Sequence, residues 1–326
     1  MIAYLIKSII CLTLLFAFYR LFLEKEKVHQ FNRFYLIGIL LFSLAVPKYI
    51  IYVEPSMVSP INTLSDATAN SFQIADYLNY VIGIYLLGVI VLLFRFLRNV
   101  AVISKRIKEN PKIRSGSATI VLLGEEVLPH TFLNYIFINR DDFEAEKIEE
   151  ELFTHELTHV KERHTLDILF VELFQIVFWF NPILIFLKRS VRLNHEFIAD
   201  DTVINSHKNI PEYQHILLDI ASWGNNNSLS SNINYSLTKK RFNMMARKSS
   251  RLTRAILKIS VIPLLTVFVF LFADVVIGQE NHEEGHDNKK AEIRKESSGD
   301  PERSEGEHRE GEEHKEGERD EINHKD

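Results

Sequence analysis

His155, Glu156 and His159 stand in the order His-Glu-Leu-Thr-His. On a helix, a spacing of four puts both imidazoles on one face, one turn apart, where they can bind a single zinc ion; Glu156 can then reach a water at that ion as general base. Zinc draws the pKa of such a water towards about 7 and polarises a carbonyl, while the carboxylate carries the proton to a leaving amine. That is the chemistry of peptide hydrolysis. Only three positions of the motif are fixed, and a solvated polar helix face satisfies it equally, so a third ligand must decide. His164 follows His159 with no Gly between them. On a continuing helix it lies about 900° past His155, on the opposite face, and is not expected to be a ligand. Glu196, in Asn194-His195-Glu196-Phe197-Ile198-Ala199-Asp200, is the better candidate. Asp200 lies one turn further on, so one carboxylate can bind metal while the other orients a ligand imidazole from behind. His155, His159, Glu196 and a water would surround one ion and keep one position open. The competing reading of Glu196 is a surface carboxylate paired with Arg192. His195, about 100° around the helix from Glu196, reads as a packing or surface residue.

These residues need elements to carry them. Thr119–Leu123 and Tyr135–Asn139 read as short strands punctuated by Gly124 and Pro129, and Glu144–Val160 reads as the helix of the motif. Phe132–Asn139 is either an edge to which an extended substrate pairs or an internal strand whose Tyr135 and Phe137 fill the core. A donor for a developing oxyanion is also expected, with Tyr213, His207 and His215 available after Asp200. Between the two half-sites, Leu166–Leu187 is apolar but carries Asp167, Glu172 and Gln175 and is interrupted by Asn181-Pro182. As a full membrane span it would put Glu196 on the other side of the bilayer from His155. Its flanks are both basic, with Lys161 and Arg163 before it and Lys188, Arg189 and Arg192 after it. It is therefore expected to be a helix buried under the zinc domain, or one that dips into the bilayer and returns.

Four other segments reach bilayer length: Ala3–Leu23, Phe34–Val53, Tyr77–Leu97 and Ile256–Ile277. The first has no small-residue cleavage site and is followed at once by the second, so it is read as a span and not a signal peptide. Arg20, Lys25, Lys27 and Arg33 lie between the first two spans, whereas Glu54–Asp76 has no Lys or Arg. Basic residues crowd the stretch after the third span and the stretch before the fourth. The expected arrangement is an inner-membrane, multi-pass chain with its N-terminus outside and residues 98–255 in the cytoplasm. Gln279–Asp326 holds 18 acidic and 9 basic residues against a net charge of −5 for all 326 residues, so the preceding body carries about +4. That tail has too little apolar content to form a core and is expected to be disordered and outside. Its five histidines read as solvated filler. The mean hydropathy of −0.02 thus averages an apolar body with a charged tail. Near-neutral charge excludes a wholesale nucleic-acid binder. A single cysteine, Cys11, excludes disulfide frameworks and cysteine-ligated zinc.

The expected fold class is a mainly α-helical polytopic membrane protein with an inserted cytoplasmic α+β zincin-like metallopeptidase domain. Residues 1–97 would form the three-span region, 98–255 the peptidase domain, 256–277 the fourth span and 278–326 the tail.

Together, Pro129 with Thr131-Phe132, the His155–His159 motif with His164 and Asp167, Phe178-Trp179-Phe180-Asn181-Pro182 and His195–Asp200 resemble the BlaR/MecR-type antirepressor membrane metallopeptidases. The resemblance runs from Met1 to about Ile277. It implies that Glu196 is the third zinc ligand, that Asp200 lies behind the site, and that the substrate is a cytoplasmic protein, typically a winged-helix repressor, or the chain itself. It departs from the family's best-known members in having no Ser-x-x-Lys motif in the outer segment, so direct covalent sensing of a beta-lactam is not expected. Partners expected are that protein substrate and membrane lipid, with no direct nucleic acid and a homodimer possible. Two other functions compete: a housekeeping membrane peptidase of the HtpX or CAAX-protease kind, and a non-catalytic membrane receptor or scaffold with a structural zinc site.

Overall fold

A computed structural model describes residues 2–53, 74–223 and 228–277. The acidic tail and most of the Glu54–Asp76 loop lie outside the described residues. Helix α1 (Ile2–Phe18) runs on through a π-helical turn, Tyr19–Leu23, and α2 (His29–Ala45) returns alongside it, ending in a tight turn at Val46–Lys48. Pro47 ends the helix because it has no N–H to donate, and the chain continues as strand β1 (Ile50–Val53). Helix α3 is one long element, Ile74–Glu109. It is followed by strands β2 (Lys112–Ser115), β3 (Ala118–Leu123), β4 (His130–Phe132) and β5 (Tyr135–Asn139). Then come helices α4 (Arg140–Glu144), α5 (Glu150–Lys161), α6 (His164–Val177), α7 (Ile183–His207), α8 (Ile210–Trp223), α9 (Ser228–Ala246) and α10 (Arg251–Phe272), and finally strand β6 (Asp274–Ile277).

The chain is mainly helical with a small sheet, and four of its helices are long and apolar enough to cross a membrane: Ala3–Leu23, His29–Lys48, Leu78–Glu109 and Arg251–Phe272. Three differ from the sequence expectation, the third by running on past Leu97 to Glu109. The second lies earlier than Phe34–Val53 because Pro47 cuts it short, and the fourth earlier than Ile256–Ile277 because residues 274–277 pair as strand β6 with β1, in parallel register. The divisions expected after residues 97 and 255 fall inside α3 and α10. Along α3, large side chains such as Phe94 and Ile84 stay 68% and 64% exposed, an extent of bare apolar surface that water does not tolerate.

The small sheet has the order β2-β3-β5-β4. Gly116, at φ +55°, makes the turn from β2 to β3, a conformation open to a residue without a Cβ. Alternation along β3 sends Ala118, Ile120 and Leu122 to one face, against Val160, Phe153 and Leu157 of α5, and Val121 and Leu123 to the other, against Ile103 and Ile107 of α3. The sheet is therefore clamped between the motif helix and the far end of α3. Tyr135–Asn139 is internal, with β3 on one side and β4 on the other. The edge is β4, so the edge reading of Phe132–Asn139 holds only at its first residue. The helix expected over Glu144–Val160 begins only at Glu150, because the chain breaks after α4 with Glu146 at φ +53°.

Leu166–Leu187 is a helical hairpin. Helix α6 descends, the chain reverses at Phe178–Pro182, and α7 returns, with Asn181 Oδ1 accepting from Ile183 N at 3.0 Å to satisfy an otherwise free amide of its first turn. Val171, Leu184, Leu187 and Val191 of the hairpin share one apolar core with Leu15, Leu36, Ile39 and Val261 of α1, α2 and α10. Its tip also seats Trp179 on α3 at Gly88, where a Cβ would lie 2.7 Å from the indole. Each arm is about 20 Å long at 1.5 Å per residue, so the end of α5 and the middle of α7 come back to one level.

Candidate metal centre

Helix α5 presents His155 and His159 on one face, and α7 brings Glu196 opposite them. One ligand atom from each of the three lies within 4.8 Å of the others. His155 Nε2 is 3.1 Å from His159 Nε2 and 3.3 Å from a Glu196 oxygen, and His159 Nε2 is 3.7 Å from the other Glu196 oxygen. Two imidazole nitrogens and a carboxylate converging in this way form a donor set suited to a divalent ion of borderline softness. Glu196 is paired with Arg241 of α9 at 2.9 Å, and not with Arg192, which is exposed.

The partners behind the ligands fix how the imidazoles carry their protons. Tyr213 Oη donates its one proton to Asp200 Oδ1 at 2.7 Å, and Asp200 also takes two hydrogen bonds from Arg241. The 2.8 Å contact between Tyr213 Oη and His155 Nδ1 must then be donated by the imidazole. That leaves the His155 Nε2 lone pair facing Glu196 and His159, the tautomer a metal needs. Asp200 therefore orients His155 through Tyr213, being itself 3.5 Å from Nδ1. Tyr213 is buried behind the ring and does not face the cleft, contrary to its reading as an oxyanion donor. His207 is also turned away, on Thr154 Oγ1 at 3.0 Å, and His215 is exposed. Replacing Tyr213 with Phe is expected to lower divalent-metal affinity by about 10–100-fold, measured by competition with a chromogenic chelator, because His155 loses its fixed acceptor.

His164 is not on the opposite face. Helix α5 stops at Lys161, Arg163 adopts a left-handed φ of +54°, and α6 starts afresh at His164, whose Nδ1 comes within 2.8 Å of His159 Nδ1. With His164 accepting there, His159 Nε2 is free for the metal. His164 stacks on His195 at 4.0 Å between centroids, and His195 Nε2 reaches Asp167 Oδ2 at 2.9 Å. His195 is thus buried, not on the surface. Asp167 also accepts from Arg33 of α2 at 2.6 Å, so hydrogen bonds and one ring stack together join a candidate span to the back of His159.

Glu156 is buried next to the cluster, and Thr131 of β4 donates to its Oε2 at 2.6 Å. Burial pushes the Glu156 carboxyl up to about 7, against the pull of His155 and the Thr131 hydrogen bond. Burial, reinforced by His155, pushes the His159 imidazole down to about 3, which keeps it neutral. Glu196 is held well below the usual carboxylate range: burial opposes this, but Arg241 and His155 prevail. Two cavities meet at the cluster. One of about 310 Å³ is lined by His155, Glu156, His159, Glu196 and Arg241, and one of about 410 Å³ lies between α3 and α6; both touch Thr131, His159 and Glu196.

Residues 131–245 match the family model described as BlaR1 peptidase M56. Over that stretch the chain is similar to the BlaR1-type M56 peptidases. This segment runs from β4 to the end of α9 and includes Thr131, all three members of the cluster, Tyr213 and Arg241. A comparison with curated proteins gives no match. The M56 match and the apolar helices together point to a membrane metallopeptidase.

Proposed function

We propose that the chain is a multi-pass membrane zinc endopeptidase that cleaves a cytoplasmic regulatory protein, with a winged-helix repressor the leading candidate, or cleaves itself in signal transduction. The observation that carries this reading is the convergence of His155, His159 and Glu196 with Glu156 beside them. Two nitrogens and one oxygen with room for a further ligand suit catalytic zinc. A purely structural site would call for a fourth protein ligand, and among the described residues none joins the three. Basic residues flanking the zinc segment support a cytoplasmic site. The β1–β6 pairing supports exit of α2 and α10 on a shared side. In this arrangement the zinc segment lies between α3 and α10, and the α6–α7 hairpin dips among the spans and returns.

A zinc ion held by the three residues would polarise a peptide carbonyl and acidify an adjacent water. Glu156 takes the proton of the attacking water and passes it to the leaving nitrogen. Thr131 fixes one of its oxygens and leaves the other free to act. The exposed edge of β4 supports pairing of an extended substrate alongside Thr131.

The test is metal removal. The full chain in detergent is expected to carry one zinc ion, to lose cleavage of a co-purified candidate repressor or a quenched peptide after chelation, and to regain it with Zn²⁺. A chain that binds no zinc, or that cleaves equally well after chelation, would refute this function.

A further inference from the structure

The cleft that holds Glu156 also holds a cation that the metal chemistry does not require. Arg241 arrives on α9, 41 residues after Asp200, and its side chain is 14% exposed. Its Nε and Nη2 clasp Asp200 at 2.9 and 2.5 Å, and Nη2 also reaches Tyr213 Oη at 3.2 Å. That grip does not involve Glu196. Nη1 is the end left over, and it lies 2.9 Å from Glu196 Oε2 on the wall of the 310 Å³ cavity. With Glu196 engaged by a metal, Asp200 and Tyr213 would still hold the guanidinium in place, its Nη1 end on the cavity wall that Glu156 also lines. Two other side-chain donors on this wall are already engaged. Thr131 serves Glu156, and His130 Nδ1 is occupied by Leu128 O at 2.9 Å, with its ring stacked on Phe137.

We propose that Arg241 is a catalytic residue of this site, donating from Nη1 to the carbonyl oxygen of the scissile peptide as that oxygen becomes negative. The inference rests on the peptidase reading above. As the water oxygen bonds to the carbonyl carbon, the C=O π pair moves onto oxygen. The Arg241 N–H bond to that oxygen shortens without transferring its proton. Glu156 receives the water proton and delivers it to nitrogen as the C–N bond breaks. A fixed cation aimed at developing charge in a dry cleft needs no reorganisation at the moment of reaction.

The alternative is that Arg241 merely holds Glu196 and Asp200 in position. The two roles differ in their effect on metal. A cation 2.9 Å from a ligand oxygen competes with the metal for it, so Arg241→Ala is expected to bind Zn²⁺ at least as tightly as the wild type. A holding role predicts weaker binding. With a quenched peptide turned over by the wild-type full chain, Arg241→Ala is expected to lose about 10²–10³-fold in kcat with little change in KM. A phosphinic analogue of that peptide should lose affinity in proportion to kcat/KM. Added guanidinium ion should restore part of kcat. Should Arg241→Ala fail to fold, Arg241→Gln, which keeps a hydrogen bond to Asp200, carries the same expectations for zinc, kcat and the analogue. Unchanged kcat, or a loss that vanishes when zinc is saturating, overturns the assignment. A wild-type chain that binds no zinc overturns the peptidase reading itself, and this proposal with it.

Discussion

Glu156→Gln is expected to bind zinc like the wild type and to cleave about 10²–10⁴-fold more slowly, the usual contribution of a positioned general base. The amide is close in shape to the carboxylate and can still accept from Thr131 Oγ1, which now donates to Glu156 Oε2 at 2.6 Å. It cannot take up a proton, so the water is left without a base. Because Glu156 is not one of the three converging ligands, metal content should hold. Single-turnover cleavage measured alongside zinc content checks both halves. Cleavage at the wild-type rate by the Gln variant would remove Glu156 from the chemistry. The same variant also separates enzyme from receptor, since a receptor would signal equally well without the carboxylate.

Glu196→Ala should show the opposite pattern, with zinc lost first and cleavage lost as a consequence. Structural zinc sites with four ligands are worth about 10–16 kcal/mol, or about 3–4 kcal/mol per ligand, which corresponds to roughly 10²–10³-fold in affinity. Truncation also leaves Arg241 Nη1 without its carboxylate partner, adding a cation beside the remaining two imidazoles. Chelator competition is the direct measurement. Zinc affinity equal to that of the wild type would mean that some other group completes the site.

The parts of this site that were legible in the sequence are those with a fixed periodicity. The His155 and His159 spacing, the turn relating Glu196 to Asp200, and the short strands at Thr119–Leu123 and Tyr135–Asn139 follow from helix and strand geometry and recur in the fold. What was hidden depends on where the chain turns. Leu133, Glu146, Arg163 and Lys208 all take positive φ, at +52°, +53°, +54° and +58°. None is a glycine, and a bulky residue pays of order 1–2 kcal/mol to adopt that conformation, so composition gives no warning of it. The break at Arg163 alone moves His164 from the far face of an imagined helix to the back of His159. Glu146 holds back the start of the expected helix, and Leu133 separates the edge strand from the internal one. Arg241 was hidden for a different reason. Its role comes from α9 crossing behind Asp200, a long-range contact with no local periodicity.

Helix α7 has one further consequence. It runs unbroken from Ile183, at the hairpin tip among the apolar helices, past Glu196 to His207. Glu196 lies 13 residues, or about 20 Å, along this rod, so a tilt of about 5° about its buried end would carry the carboxylate nearly 2 Å, about the length of a metal–oxygen bond. In mechanical terms, the buried hairpin end is the pivot and the carboxylate rides at the end of a long arm, where a small rotation becomes a bond-length displacement.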